Sequence, residues 1–213
     1  MDYNTDSARE SLTRSDVFGD PLKNDVNFKL LSPFSFQYNC IAFAMGMTDR
    51  WVDHSNIPWH WWPPVEKGSS VEHLKNAFQY FGFEECGMND EIDDLYDKVA
   101  LYHIANQWTH AARVVAAGVY HSKFGESFDG RHSSGNVLQA QYGNVCIIMR
   151  RLKTDSRLTD DRKGIAPGEM HLNIPVKVGG VHNHIVTYKG KTYLAHNGRE
   201  VKIDFNKMSI VFA

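Results

Sequence analysis

Apolar residues follow a helical spacing as far as Gly82 and a strand-like spacing from Lys98 onward. Residues 1–25 are charged and poor in large apolar side chains, which predicts a flexible or loosely docked N-terminal arm. From Val26 to Phe36 the pattern turns apolar, but Pro33 prevents a helix, so an irregular lead-in that packs on the core is expected. Asn39 is a favoured N-cap, the residues after it are good helix formers, and Gly46 supplies the stop. Ala42 and Ala44 are small enough for this helix to approach a sheet closely. A second helix is predicted after a capping box, Ser69 at the N-cap and Glu72 at N3. It buries Val71, Leu74, Phe78 and Phe81, ends at Gly82, and carries His73 on its solvated side.

After an acidic, exposed connection over 87–97, strands are expected at Lys98–His103, Trp108–Val115 and Val119–Phe124, and a buried one at Asn144–Arg151. Residues 125–143 read as a long loop or short helix, with Gly118 closing the hairpin before them. Helices followed by antiparallel strands predict an α+β domain over 26–152. A polar linker (153–170) and a small C-terminal β-meander (171–213) follow, the latter divided by turns at Gly179-Gly180, Lys189-Gly190 and Asn197-Gly198. Four of the five tryptophans fall between Trp51 and Trp62 among prolines. Such a stretch is structural cladding or one wall of a substrate groove.

Composition narrows the function classes. A chain of 213 residues buries a sizeable core without staples, and a net charge of -2 gives no electrostatic case for nucleic acid or an anionic membrane. No apolar run reaches membrane-spanning length, and the polar start is not a secretory signal. Three scattered cysteines, Cys40, Cys86 and Cys146, argue for a reducing, cytoplasmic setting. With no CxxC pair they form no zinc site, and no cofactor or metal is called for.

Cys40 is the candidate nucleophile, because the unpaired N–H groups at a helix start favour thiolate over thiol. A nucleophilic cysteine needs a base, and the base needs an orienter. His110, flanked by small residues at the start of its strand, is the candidate base. A three-residue hairpin at 116–118 pairs His110 with Phe124 and puts Ser122 diagonally on the same face, whereas a two-residue loop presents His121 and Lys123 instead. Ser122 is therefore the expected orienter, with His121 second. Gln37 or Asn39 could assist the Cys40 N–H in binding an oxyanion, and Lys123 and Trp62 complete the candidate substrate site.

The blocks YNCIAFAMG, WWP, FGFEEC, KVALY, THAAR, HSKFG and QYG occur in this order. Over residues 30–152 they resemble a family of uncharacterised, mostly bacterial proteins known as a domain of unknown function. The resemblance implies Asn39, Cys40, His110, Ser122, Lys123 and His132 as recurring polar positions. The order of cysteine helix, histidine strand and polar strand is similar to papain-like peptidases of the NlpC type. Phe43 stands where the family has Trp, His121 where it has Thr, and the C-terminal meander lies outside the match. The reading is a cysteine-dependent hydrolase or acyltransferase acting on a peptide, isopeptide or side-chain amide of a peptide or protein substrate. The alternative is a catalytically inactive papain-fold module that binds a partner protein through the meander. A rival histidine pair, His184 and His196, has the same twelve-residue spacing, and with His182 it could instead hold a metal.

Overall fold

In a computed structural model, residues 3–154, 170–178, 181–195, 197–204 and 209–212 are described. The N-terminal segment, expected as a flexible or loosely docked arm, is helical over most of its described length. It forms helices α1 (Asp6–Thr13), capped by the Thr5 hydroxyl, and α2 (Gly19–Lys23). Leu12, Phe18 and Leu22 are buried in a core that also holds Phe28 and Leu30. Ala8–Leu12 and Phe18–Leu22 each recur at a spacing of four, so a narrow apolar stripe exists within a segment whose average polarity conceals it.

Strand β1 (Lys29–Leu30) is followed by α3 (Cys40–Met45), the short parallel pair β2 (Trp51–Val52) and β3 (His60–Trp61), and α4 (Val71–Tyr80). The cap of α4 is Ser70 rather than Ser69. The Ser69 carbonyl is held by the Trp108 N–H, the Ser70 hydroxyl bonds His73 Nδ1 at 2.5 Å, and Glu72 pairs with Lys75, so the capping box does not form. Strands β4 (Glu84–Glu85), β5 (Tyr96–Ile104), β6 (Gln107–Ala116), β7 (Val119–Lys123), β8 (Asp129–Ser133) and β9 (Asn144–Leu152) complete the main elements. With β1 they form a seven-stranded antiparallel sheet in the order β1-β8-β7-β6-β5-β9-β4. The segment read as a loop after Phe124 thus contains β8, and then a 3-10 turn and the short helix α5 (Gln139–Tyr142).

Both faces of this sheet are covered. Val99, Leu101, Ala111 and Met149 pack against α3 and α4, while Ala100, Tyr102, Ala112, Val114 and Ile148 pack against the N-terminal helices. Burial on both sides explains why Val99-Ala100-Leu101-Tyr102 reads as an unbroken apolar run.

The β6–β7 hairpin has a two-residue loop, Ala117-Gly118, with Ala116 opposite Val119 and Gly118 at φ 70°. By itself this loop would turn His121 toward the face of His110. Val115 is an extra residue, however, and beyond this bulge Val114 faces Tyr120 and Arg113 faces His121. The bulge cancels the shortened loop and restores the register that puts Ser122 on the face of His110.

Strands β10 (Met170–Val178), β11 (Val181–Tyr188) and β12 (Lys191–Leu194) form an antiparallel meander, and β13 (Val201–Asp204) pairs with β14 (Ser209–Phe212). β11 and β12 dock on the tryptophan loop, where the Trp59 and Tyr193 rings lie 5.4 Å apart beside Val186. The linker expected at 153–170 falls largely outside the described residues. No helix among the described residues is long and apolar enough to cross a membrane.

If the N-terminal helices complete the core, Leu22→Ala should cost about 2–5 kcal/mol, the range for emptying a buried leucine site. Urea unfolding checks this. A cost under about 0.5 kcal/mol would mean that the arm is only loosely docked.

Candidate functional site

Helix α3 is buried on all sides and held at both ends. The Asn39 side chain spends every polar atom on structure. Its Oδ1 accepts from the N–H groups of Ala42 (3.1 Å) and Val52 (3.2 Å), and its Nδ2 donates to the Val52 carbonyl at 2.8 Å. Asn39 is therefore a cap and a tie to β2, not a free oxyanion donor. At the other end Gly46 takes φ 95°, and Arg113 Nε donates to the Phe43 carbonyl at 2.8 Å, a cation at a helix C-terminus.

Cys40 opens this helix as expected, but its thiol is not activated at rest. Burial pushes its pKa up to about 11, with the carboxylate of Asp53 adding to the rise. The N–H groups of Ala111, Ile41 and Cys40 itself pull the other way and are outweighed. Desolvating a thiolate costs more than one turn of helix returns. Cys86 and Cys146 also have raised pKa values from burial, and their thiols donate to the carbonyls of Ile148 and Leu101.

His110 and Ser122 come together, with His110 Nε2 2.9 Å from Ser122 Oγ. Ser122 Oγ lies in turn 2.7 Å from His132 Nε2, and His132 Nδ1 is 2.7 Å from the Ser133 carbonyl. All three side chains are fully buried. Burial lowers the His132 pKa to about 4 and holds His110 well below its ordinary value, with the neighbouring imidazole adding to the His110 effect. Both rings are thus neutral near pH 7, and the hydrogen bonds fix their tautomers. A carbonyl only accepts, so His132 carries its proton on Nδ1 and accepts at Nε2. Ser122 must donate its single proton to His132 and accept from His110 Nε2–H. His110 is left with a bare lone pair on Nδ1, which is buried and has no hydrogen-bond partner.

This chain lies on the sheet face opposite α3. His110 pairs with Tyr102, and its ring stacks on Tyr142 at 4.0 Å with the planes 3° apart. No hydrogen bond joins it to Cys40. Beyond Arg113 and His121 no ladder pair joins β6 to β7, and the Ala111 N–H is turned to the Cys40 sulfur there. The Tyr142 phenol, raised by burial, is raised further by charge on Cys40, so the ring lying on His110 is within electrostatic reach of the sulfur.

Lys123 is fully buried, and its Nζ donates to the carbonyls of Ser35 and Ser127. The ammonium also lies 5.0 Å from the Tyr38 ring centroid. Burial lowers its pKa to about 8, partly offset by Asp129 and Cys40. Tyr38 donates to Asp129 Oδ2 at 2.6 Å. Gln37 is exposed just ahead of the helix. Trp62 is buried against Trp108, with its N–H on the Glu66 carbonyl, so it clads the core rather than lining a groove. His196 and the side chains of His182 and His184 lie outside the described residues.

Two participants were missed in the sequence. Tyr142 was visible only as the QYG block. Its backbone is placed by Gly143, where an added Cβ would lie 2.1 Å from the His103 carbonyl. Asp129 opens β8, whose polar residues carry no strand pattern in the sequence.

The domain is α+β, with helices packed against an antiparallel sheet. The chain belongs to the family described as a domain of unknown function (DUF7689), which matches residues 29–150. No curated protein and no solved structure matches the chain.

Two outcomes follow from this geometry. Asn39→Ala removes a cap and both ties to β2, so stability should fall by about 2 kcal/mol or more in urea unfolding. His132 has a folded pKa of about 4, below its unfolded value of about 6.5. The unfolded state therefore binds more protons between these values, and stability present above about pH 6.5 is lost as pH falls toward 4. His110 acts in the same direction. A flat stability profile between pH 7 and 4.5 would show that the two rings are not held neutral.

Proposed function

We propose that the protein is a cysteine-dependent hydrolase or acyltransferase of papain-like, NlpC-type organisation, acting on a peptide, isopeptide or side-chain amide bond. The observation that carries this reading is the tautomer chain, which leaves His110 Nδ1 as an unspent base. A buried histidine with no chemical task would ordinarily satisfy both ring nitrogens. In the reaction the Cys40 thiol proton passes to His110 Nδ1 as the sulfur attacks the carbonyl carbon. The imidazolium then protonates the leaving amine, and water or a second nucleophile takes the acyl group from the thioester. Ser122 and His132 hold the ring, and the Cys40 N–H faces the developing oxyanion.

One observation favours a second reading, that of an inactive binding module. The thiol has a pKa of about 11 and lacks a hydrogen bond to His110. A peptide-like electrophile, with mass-spectrometric mapping of the labelled cysteine, separates the two. The enzyme reading expects Cys40 to label ahead of Cys86 and Cys146. His110→Ala should slow that labelling by about 10²–10⁴-fold, and Ser122→Ala by less. Equal labelling of the three thiols, or no effect of His110→Ala, supports the binding module.

A further inference from the structure

The far end of α3 borders a cavity of about 430 Å³ that shares no residue with the Cys40 site. Its size falls within the usual range for small-molecule sites, about 300–1,000 Å³. Two guanidinium groups line it, those of Arg113 and Arg151, together with Asp97, His121, Phe83 and Val115. Arg113 is anchored through Nε to the Phe43 carbonyl and lies over the Phe43 ring at 4.3 Å. Its two terminal nitrogens make no hydrogen bond among the described residues. Arg151 lies over the Phe83 ring at 4.5 Å, and its terminal nitrogens reach the Phe81 carbonyl at 3.4 Å and Asp97 at 3.8 Å.

The charges here do not balance. Burial lowers the Arg113 pKa; Asp97 and Asp129 offset this in part, and the like charge of Arg151 adds to the lowering. Two rigid planar forks, each backed by an aromatic ring, line the cavity with a third cation, Lys98, which donates to the Asn89 carbonyl, against the single lining carboxylate of Asp97. That arrangement matches a planar or tetrahedral oxyanion, which a guanidinium binds through paired hydrogen bonds. His121 has its pKa lowered by burial and by Arg131 and Arg113, so it supplies a neutral polar wall. Phe83 and Val115 suit a compact apolar body.

We propose that this cavity binds a small organic anion, with its carboxylate or phosphate group held by Arg113 and Arg151. Calorimetric titration of the full chain at low ionic strength, with inorganic phosphate and with citrate as probes, tests it. Saturable binding that weakens as KCl rises is expected, and the probe that binds more tightly identifies the oxyanion. Arg113→Gln should weaken binding about tenfold or more. Because that change also removes an anchor of α3, Val115→Glu serves as a second variant. It sets a carboxylate at the half-exposed bulge, should leave the circular dichroism spectrum unchanged, and should abolish binding by filling the site with its own charge. Cys40→Ser should bind like the parent, which separates this site from the proposed reaction. No saturable binding up to about 10 mM, or binding that Val115→Glu leaves intact, overturns the proposal.

Discussion

A six-residue helix cannot persist by itself, because nucleation costs more than so few hydrogen bonds return. Helix α3 exists because all six of its residues are buried and both of its ends are met by side chains from elsewhere. Asn39 closes the N-terminus and binds both polar groups of Val52, so helix start and β2 are fixed as one unit. Arg113 closes the C-terminus from the sheet. Without Asn39 the peptide groups it binds at Ala42 and Val52 lose that partner, at a cost of about 1–3 kcal/mol each, whereas without Arg113 the Phe43 carbonyl still accepts from the Gly46 N–H. The position of Cys40 and one wall of the cationic cavity, at Ala44 and Gly46, hang from this one element.

Much of this was legible in the residues. Asn39, Cys40 and Gly46 announce the cap, first turn and stop of α3 through local chemistry alone, and the structure has them in those places. The seven-stranded sheet was half visible, since β5, β6, β7 and β9 carry long apolar or alternating runs. β8 was not, because Asp129-Gly130-Arg131-His132-Ser133 has no apolar side chain and becomes a strand only through pairing on both edges. The N-terminal helices were hidden for a related reason: a few well-spaced apolar residues among many charges carry the whole docking.

Ser122 reaches the face of His110 by a different route from the three-residue loop its sequence suggests. A three-residue loop was expected, and the chain uses two residues plus a bulge at Val115. Pairing depends only on the number of residues between ladder positions, so loop and bulge are interchangeable in that count. The two solutions differ elsewhere. The bulged residue, Val115, lines the cationic cavity. The face occupied by the histidine chain was not deducible in the same way. Alternation says which residues share a face, but which layer covers that face is decided by long-range packing.

That division of faces sets the energetic problem for any chemistry at Cys40. With a thiol pKa near 11, only about one sulfur in ten thousand is ionised at pH 7, which corresponds to roughly 5 kcal/mol of unfavourable free energy. Two features of the site act against it. Lys123, with a pKa of about 8, is mostly protonated at neutral pH, and its charge is felt by the sulfur across the α3 face. Its ammonium is held on the carbonyls of Ser35 and Ser127, so it cannot swing out to water to shed that role. The neutral His110, fixed with Nδ1 bare, lies on the opposite face of the sheet and makes no hydrogen bond to the sulfur. The resting thiol therefore ionises reluctantly, because one turn of helix and a buried cation return less than burial of the sulfur takes away.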